Sequence, residues 1–189
     1  MQNGCRNLIC FQKRHSKRLL KNIQSRLFGR RPCGGVKKVN AGISELTEEE
    51  KIAFAGVREA LQKAKQTADI AIVSSANPEA MREEWARCGL MEYVDYPMAQ
   101  DVGTKTVCLQ KMLAKGYQPE HVLMIGDAHG DQTSAREAGV RFYPILAGHE
   151  TESWAHFKQN VLPAFVADNY TSAFENMEAE NFRKNLAVV

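Results

Sequence analysis

Residues 121–131 read His121-Val122-Leu123-Met124-Ile125-Gly126-Asp127-Ala128-His129-Gly130-Asp131. Four consecutive apolar residues run into a glycine, and two carboxylates follow at a spacing of four. A short unbroken apolar run predicts a strand buried on both faces, as in a parallel sheet. The carboxyl ends of such strands form the crevice in which open α/β folds bind ligands. Gly126 allows another group to come close to the backbone. Asp131 is expected in the first turn of the next helix, on the same side as Asp127. Two hard carboxylate oxygens in one crevice suit Mg²⁺, and without a cation they repel one another. A helix cap explains a lone Asp at such a place. The ordered Gly-Asp-x-x-x-Asp after an apolar strand points further, to a functional site.

The flanking sequence alternates strand and helix patterns. Thr47 and Glu50 have capping-box spacing, and a helix is expected to run from there toward Gln66 with Gly56 as a weak point inside it. Ile70 to Val73 reads as a short buried strand, followed by Ser74-Ser75-Ala76. Asn77 looks like an N-cap with Pro78 at the first helical position, and that helix closes at Gly89. A weaker strand is expected over 93–98, a helix over 104–115 closing at Gly116, and a helix over 131–138 closing at Gly139. A strand over 140–146 and helices over 151–160 and 170–184 complete the pattern. Strands alternating with helices predict an α/β fold with a parallel sheet.

Two further positions line up with the carboxylates. Ser74 follows the strand 70–73, where a hydroxyl beside the amides of a helix start makes an anion cradle. A plain Ser-rich turn explains it equally well when it is read alone. Lys105 opens a helix in Gly103-Thr104-Lys105-Thr106. A lysine there opposes the helix dipole at a cost of about 0.3–1 kcal/mol. Such local violations concentrate at functional sites, although a solvated surface lysine is the plain alternative.

Taken in order, Ser74, Lys105 and Gly126-Asp127-x-x-x-Asp131 resemble the second, third and fourth motifs of the haloacid dehalogenase-like (HAD) hydrolase superfamily. The resemblance covers roughly residues 52–150. It implies a three-layer α/β/α fold with a mostly parallel, Rossmann-like sheet, and a Mg²⁺-dependent phosphatase lineage acting on phosphate monoesters. By that resemblance Ser74 binds the phosphate of a small phosphorylated substrate, with Ser75 as the neighbour one register position away. Lys105 binds phosphate and serves catalysis by neutralising charge. Asp127 binds Mg²⁺ directly, and Asp131 supports it.

The first motif of that superfamily, a strand ending in Asp-x-Asp, has no counterpart here. The first aspartate in the chain is Asp69. In the superfamily the first Asp of the pair attacks phosphorus and the second moves the proton. The strand-like candidate upstream is Leu8-Ile9-Cys10-Phe11, followed by Gln12-Lys13-Arg14, which carries no carboxylate. Cys10 is the conceivable substitute nucleophile. The resemblance therefore implies a core incomplete at its N-terminal strand and cap, with activity impaired or absent. A start assigned inside a longer reading frame would explain the gap. Losing a central strand would also leave unpaired edges, unless Leu8–Phe11 fills the place. The alternative is a non-catalytic phosphate- and Mg²⁺-binding or regulatory module.

Composition sets the remaining bounds. The 189 residues fit one domain with an appendage, and their net charge of +3 hides a division. Residues 1–40 contain 11 Lys or Arg and no Asp or Glu, while the rest contain 14 basic and 22 acidic residues. The chain divides into a basic N-terminal extension over 1–44, disordered or helical, and an α/β core over 45–189. Leu19, Leu20, Ile23, Leu27 and Phe28 recur at helical spacing among Lys17, Arg18, Lys21 and Arg26. Such a segment could touch nucleic acid or an anionic surface, though a poorly ordered tail is the simpler expectation. No apolar run reaches membrane-spanning length. Five cysteines without pairing rhythm, Cys5, Cys10, Cys33, Cys88 and Cys108, point to reduced thiols in the cytoplasm.

Overall fold

The computed structural model describes residues 8–12 and 53–187. The Thr47/Glu50 capping box, the basic amphipathic stretch 17–28 and the boundary at 44 lie outside the described residues. Five strands form one sheet: β1 (Leu8–Gln12), β2 (Ala68–Val73), β3 (Tyr96–Met98), β4 (Val122–Gly126) and β5 (Arg141–Pro144), in the order β3-β2-β1-β4-β5. β2 pairs in parallel with β3, and β4 with β5. Leu8–Gln12 takes the central place, as the sequence allowed. It runs antiparallel to both neighbours, pairing Leu8 with Ile72 on one side and with Ile125 on the other. The fold class is α/β, with short parallel strands on either side of a reversed centre.

The apolar alternation of β2 and β4 builds a core on each face of this sheet. Ile70, Ile72, Leu123 and Ile125 face one side. There they meet Val57 and Leu61 of α1 (Val57–Thr67), Met81 and Trp85 of α2 (Pro78–Arg87), and Trp154 and Phe157. Ala71, Val73, Val122 and Met124 face the other. Their partners are Leu109 and Met112 of α3 (Lys105–Leu113), Ala135 of α4 (His129–Ala138) and Phe182. All five residues of β4 are buried, as a strand covered on both faces requires.

Three boundaries differ from the sequence expectation for physical reasons. Gly56 is the N-cap of α1 with φ 85°, a conformation glycine adopts without penalty, so it starts the helix instead of weakening its middle. The expected strand at 93–98 begins as a 3-10 turn, Met91–Tyr93, and is extended only over Tyr96–Met98. Pro97 sits in that edge strand, where a missing N–H is tolerated. The helix expected at 151–160 runs on through α5 (Glu150–His156), a π turn (Phe157–Val161) and α6 (Leu162–Val166). Pro163 cannot donate an i−4 bond and would press on the preceding turn. The wider turn accommodates it, with the Leu162 amide donating to Phe157 O five residues back.

The last helix, α7 (Ser172–Leu186), closes the β5 edge of the sheet. The Phe142 amide donates to Glu175 Oε1 at 2.9 Å, and Tyr170 Oη donates to Phe142 O at 2.8 Å. Side chains thus occupy backbone groups that an edge strand would otherwise offer to another chain. Asn185 then holds the loop after β5, accepting from Ala147 N and donating to Ala147 O, both at 3.1 Å. Among the described residues no helix is long and apolar enough to cross a membrane.

Candidate functional site

The strand register sets the frame of the site. Leu8 pairs with both Ile72 and Ile125. Ser74 and Asp127 each stand two residues beyond those partners, so they lie level at the same edge of the sheet, on either side of β1. With strands about 4.8 Å apart, roughly 10 Å separates the two backbones. The position between them belongs to the Leu8 end of β1. Because β1 is reversed, Gln12, which pairs with Ala68, lies at the opposite edge. Cys10 pairs with Ile70 and Leu123, two residues further from the crevice than Leu8. That is about 7 Å down the strand, which removes Cys10 as a substitute nucleophile.

Asp127 and Asp131 occupy different environments. Asp127 is half-buried just beyond β4, whereas Asp131, the third residue of α4, is fully buried. Its side chain lies directly against Gly126: a Cβ on that glycine would stand 2.5 Å from Asp131 Cβ, Cγ and Oδ2. The close approach expected at Gly126 is therefore made by Asp131 itself. Asp131 Oδ2 accepts from the Ala128 amide at 3.1 Å, and Oδ1 forms an ion pair with Lys105 Nζ. The Ala128 contact is half of a capping box, since alanine has no side-chain acceptor to complete it. So Asp131 is a helix cap and a charge partner at once. Burial pushes its carboxyl above the usual range and Asp127 adds to this, against the opposing pull of Lys105 and the Ala128 amide.

Lys105 is the first residue of α3, capped by Thr104, whose Oγ1 accepts from Val107 N at 3.3 Å. Its side chain is only 18% exposed and reaches Asp131 across the neighbouring helix. The structure thus brings Lys105 to Asp131, while the strand register places Ser74 on the same rim as Asp127.

Ser74 donates its backbone amide to Met98 O at 2.9 Å, and its Oγ accepts from Ala76 N at 3.1 Å. Asn77 Oδ1 accepts from Ala80 N at 2.8 Å, as expected of the N-cap. Two amides of the expected anion cradle are therefore taken by their own segment's side chains. The Ser74 hydroxyl proton remains available to a ligand. Ser75 is exposed and Ser74 half-buried, directly after the strand.

Among the described residues no three His, Cys, Asp or Glu side chains cluster as a ready metal-ligand set. Mg²⁺ does not need one: it keeps several waters and is held by one or two carboxylates plus phosphate oxygens. Asp127 fits a direct ligand of that kind. Asp131, with both oxygens engaged, fits a supporting role.

Sequence reasoning did not single out Thr106 and Glu137. Thr106 Oγ1 donates to Glu137 Oε2 at 2.9 Å, joining α3 to α4 beside the Lys105–Asp131 pair. Glu137 carried a signal of the same kind as Lys105, an acid in the last turn of a helix, where the dipole disfavours it.

Comparison with curated proteins and with solved structures found no match. Comparison with protein families found one: the haloacid dehalogenase-like hydrolase family matches residues 16–145, well over half of the chain. The matched region contains Ser74, Lys105, Asp127 and Asp131 and begins downstream of β1. The chain belongs to the haloacid dehalogenase-like hydrolases.

Proposed function

We propose that the crevice handles phosphate monoesters in the manner of a Mg²⁺-dependent phosphatase lineage, and that the polypeptide as written turns them over poorly or not at all. In this reading Ser74 and Lys105 hold the phosphate of a small phosphorylated ligand. Asp127 ligates Mg²⁺, and Asp131 keeps Lys105 in place and supports the metal site. The frame is the three-layer, Rossmann-like core of the family over residues 45–189, completed at the centre of its sheet by Leu8–Gln12 from the basic segment 1–44. Bound Mg²⁺ would supply positive charge to the phosphate oxygens.

The observation that carries this reading is the register of β1, whose Leu8 end points into the gap between Ser74 and Asp127 and stands two residues short of their level. A phosphate seated between those residues faces the Leu8 end of β1, and none of residues 1–44 carries a carboxylate side chain. Hydrolysis through a covalent intermediate needs a carboxylate in line with phosphorus and a second group to move the proton. Ser74, Lys105 and Asp127 can bind, orient and neutralise charge; none of them replaces the attacking group. Retained binding with lost turnover makes the crevice a phosphate- and Mg²⁺-binding or regulatory module. The basic residues 1–40 support a separate contact with nucleic acid or an anionic surface. Its signature would be strongly salt-dependent binding that disappears when Lys17, Arg18, Lys21 and Arg26 are replaced by glutamine, with Leu8–Gln12 left in place.

Titration calorimetry with Mg²⁺ in the presence of inorganic phosphate tests the site. Wild type should bind weakly, and Asp127→Ala should lower the affinity at least tenfold. Equal affinity in the two would refute the assignment of Asp127.

A further inference from the structure

The first turn of α3 contains no acidic residue and opens with Lys105, so its own sequence opposes the helix dipole. Glu137 stands in the last turn of α4, where a carboxylate is equally out of place. The two irregularities meet. Thr106 Oγ1, in the first turn of α3, donates to Glu137 Oε2 at 2.9 Å. Glu137 thereby brings to the N-terminus of α3 the negative charge that this turn lacks. On the same helix α4, six residues earlier, Asp131 pairs with Lys105 Nζ. Consecutive residues of α3 are held from two points of one neighbouring helix.

We infer that Glu137, acting through Thr106, is the positioning residue that fixes the first turn of α3 and so sets Lys105 against Asp131. The surrounding bonds favour a preset turn. Lys111 Nζ donates to Val102 O at 2.8 Å, and Thr104 caps the helix. Gly103 has φ 135°, and a Cβ there would stand 2.9 Å from Val107 Cγ1. Within this scaffold the Thr106–Glu137 bond is a polar link from the first turn of α3 to α4 that does not use Lys105 itself. Removing it takes one polar tether from that turn, and the Lys105 ammonium should sample other positions.

The inference rests on the reading of Lys105 as a crevice residue but is tested without ligand. In protein labelled with ¹⁵N-lysine, the Lys105 ammonium signal is assigned by its loss in Lys105→Arg. In wild type a held ammonium should give an observable, slowly exchanging signal. Thr106→Val and Glu137→Ala should speed its hydrogen exchange about three- to tenfold, and Thr106→Ser should restore it to within twofold. Amide exchange at Ala135 reports whether α4 stays intact and should not change. An absent Lys105 signal in wild type would overturn the inference. So would exchange within twofold of wild type in Thr106→Val and Glu137→Ala, or a parallel rise at Ala135. Failure of wild type to bind Mg²⁺ and phosphate would refute the functional reading and leave the clasp standing.

Discussion

Asp131 is packed onto the α-carbon of Gly126, so close that a Cβ at position 126 would stand 2.5 Å from its Cβ, Cγ and carboxylate oxygen. The contact joins the end of β4 to the first turn of α4 and fixes where Asp131 meets Lys105. Gly126→Ala should therefore destabilise the protein by about 1–3 kcal/mol, the usual range for overpacking a tight interior. The overlap involves Asp131 Cβ, which cannot swing aside as a long side chain would. Urea denaturation of the two proteins checks this; an unchanged midpoint would show that the contact yields freely.

The buried tyrosines set an alkaline limit on stability. Burial pushes the hydroxyls of Tyr117, Tyr143 and Tyr170 well above the ordinary tyrosine value, and the Asp69 carboxylate adds to the effect at Tyr117. The folded state then holds these protons more tightly than the unfolded state. Stability should be unaffected by them below about pH 10, where unfolded tyrosine begins to ionise, and should fall as pH rises further. Unfolding midpoints from pH 8 to 11 test the sign. Tyr170→Phe and Tyr143→Phe should each flatten the fall, and a slope unchanged by both would contradict it.

Glu175 should matter for stability through its contacts with the edge strand β5. Its carboxylate accepts from the Phe142 amide at 2.9 Å and pairs with Arg141 at 3.0 Å, and it is only 22% exposed. Glu175→Ala leaves a partly buried edge amide without its acceptor, at a cost of about 1–3 kcal/mol. It also reopens the edge of β5. Thermal unfolding and light scattering should show a lower midpoint and greater self-association. A variant that matches wild type in both would remove Glu175 from the account.

The parts of the fold that were legible in the sequence are those fixed by near neighbours. The run Val122–Ile125 could only be a doubly covered strand. Asn77-Pro78 and Thr104 announce helix starts through their own side chains, and the glycines at 89, 116 and 139 adopt the positive φ that ends helices. Gly56 was misleading because the same residue serves a helix start and a helix defect. The direction of Leu8–Gln12 was not legible at all. A five-residue apolar strand carries no mark of polarity, and its orientation is decided by the strands on either side. The Lys105–Asp131 pair was half legible: both residues were candidates, but for phosphate and metal. Their mutual contact depends on how α3 packs beside α4. Glu137 and Glu175 became meaningful only once distant segments met.

The central claim is that this crevice retains a phosphate and Mg²⁺ site whose attacking group is missing. It is tested most directly by turnover of a generic aryl phosphate with Mg²⁺, measured for wild type beside Asp127→Asn. No hydrolysis above background that Asp127→Asn removes is expected, because general acid–base assistance alone is worth about 10²–10⁴-fold and the covalent route is lost with its nucleophile. Robust turnover abolished by Asp127→Asn would contradict it, and would mean that another residue reaches the phosphorus between Ser74 and Asp127.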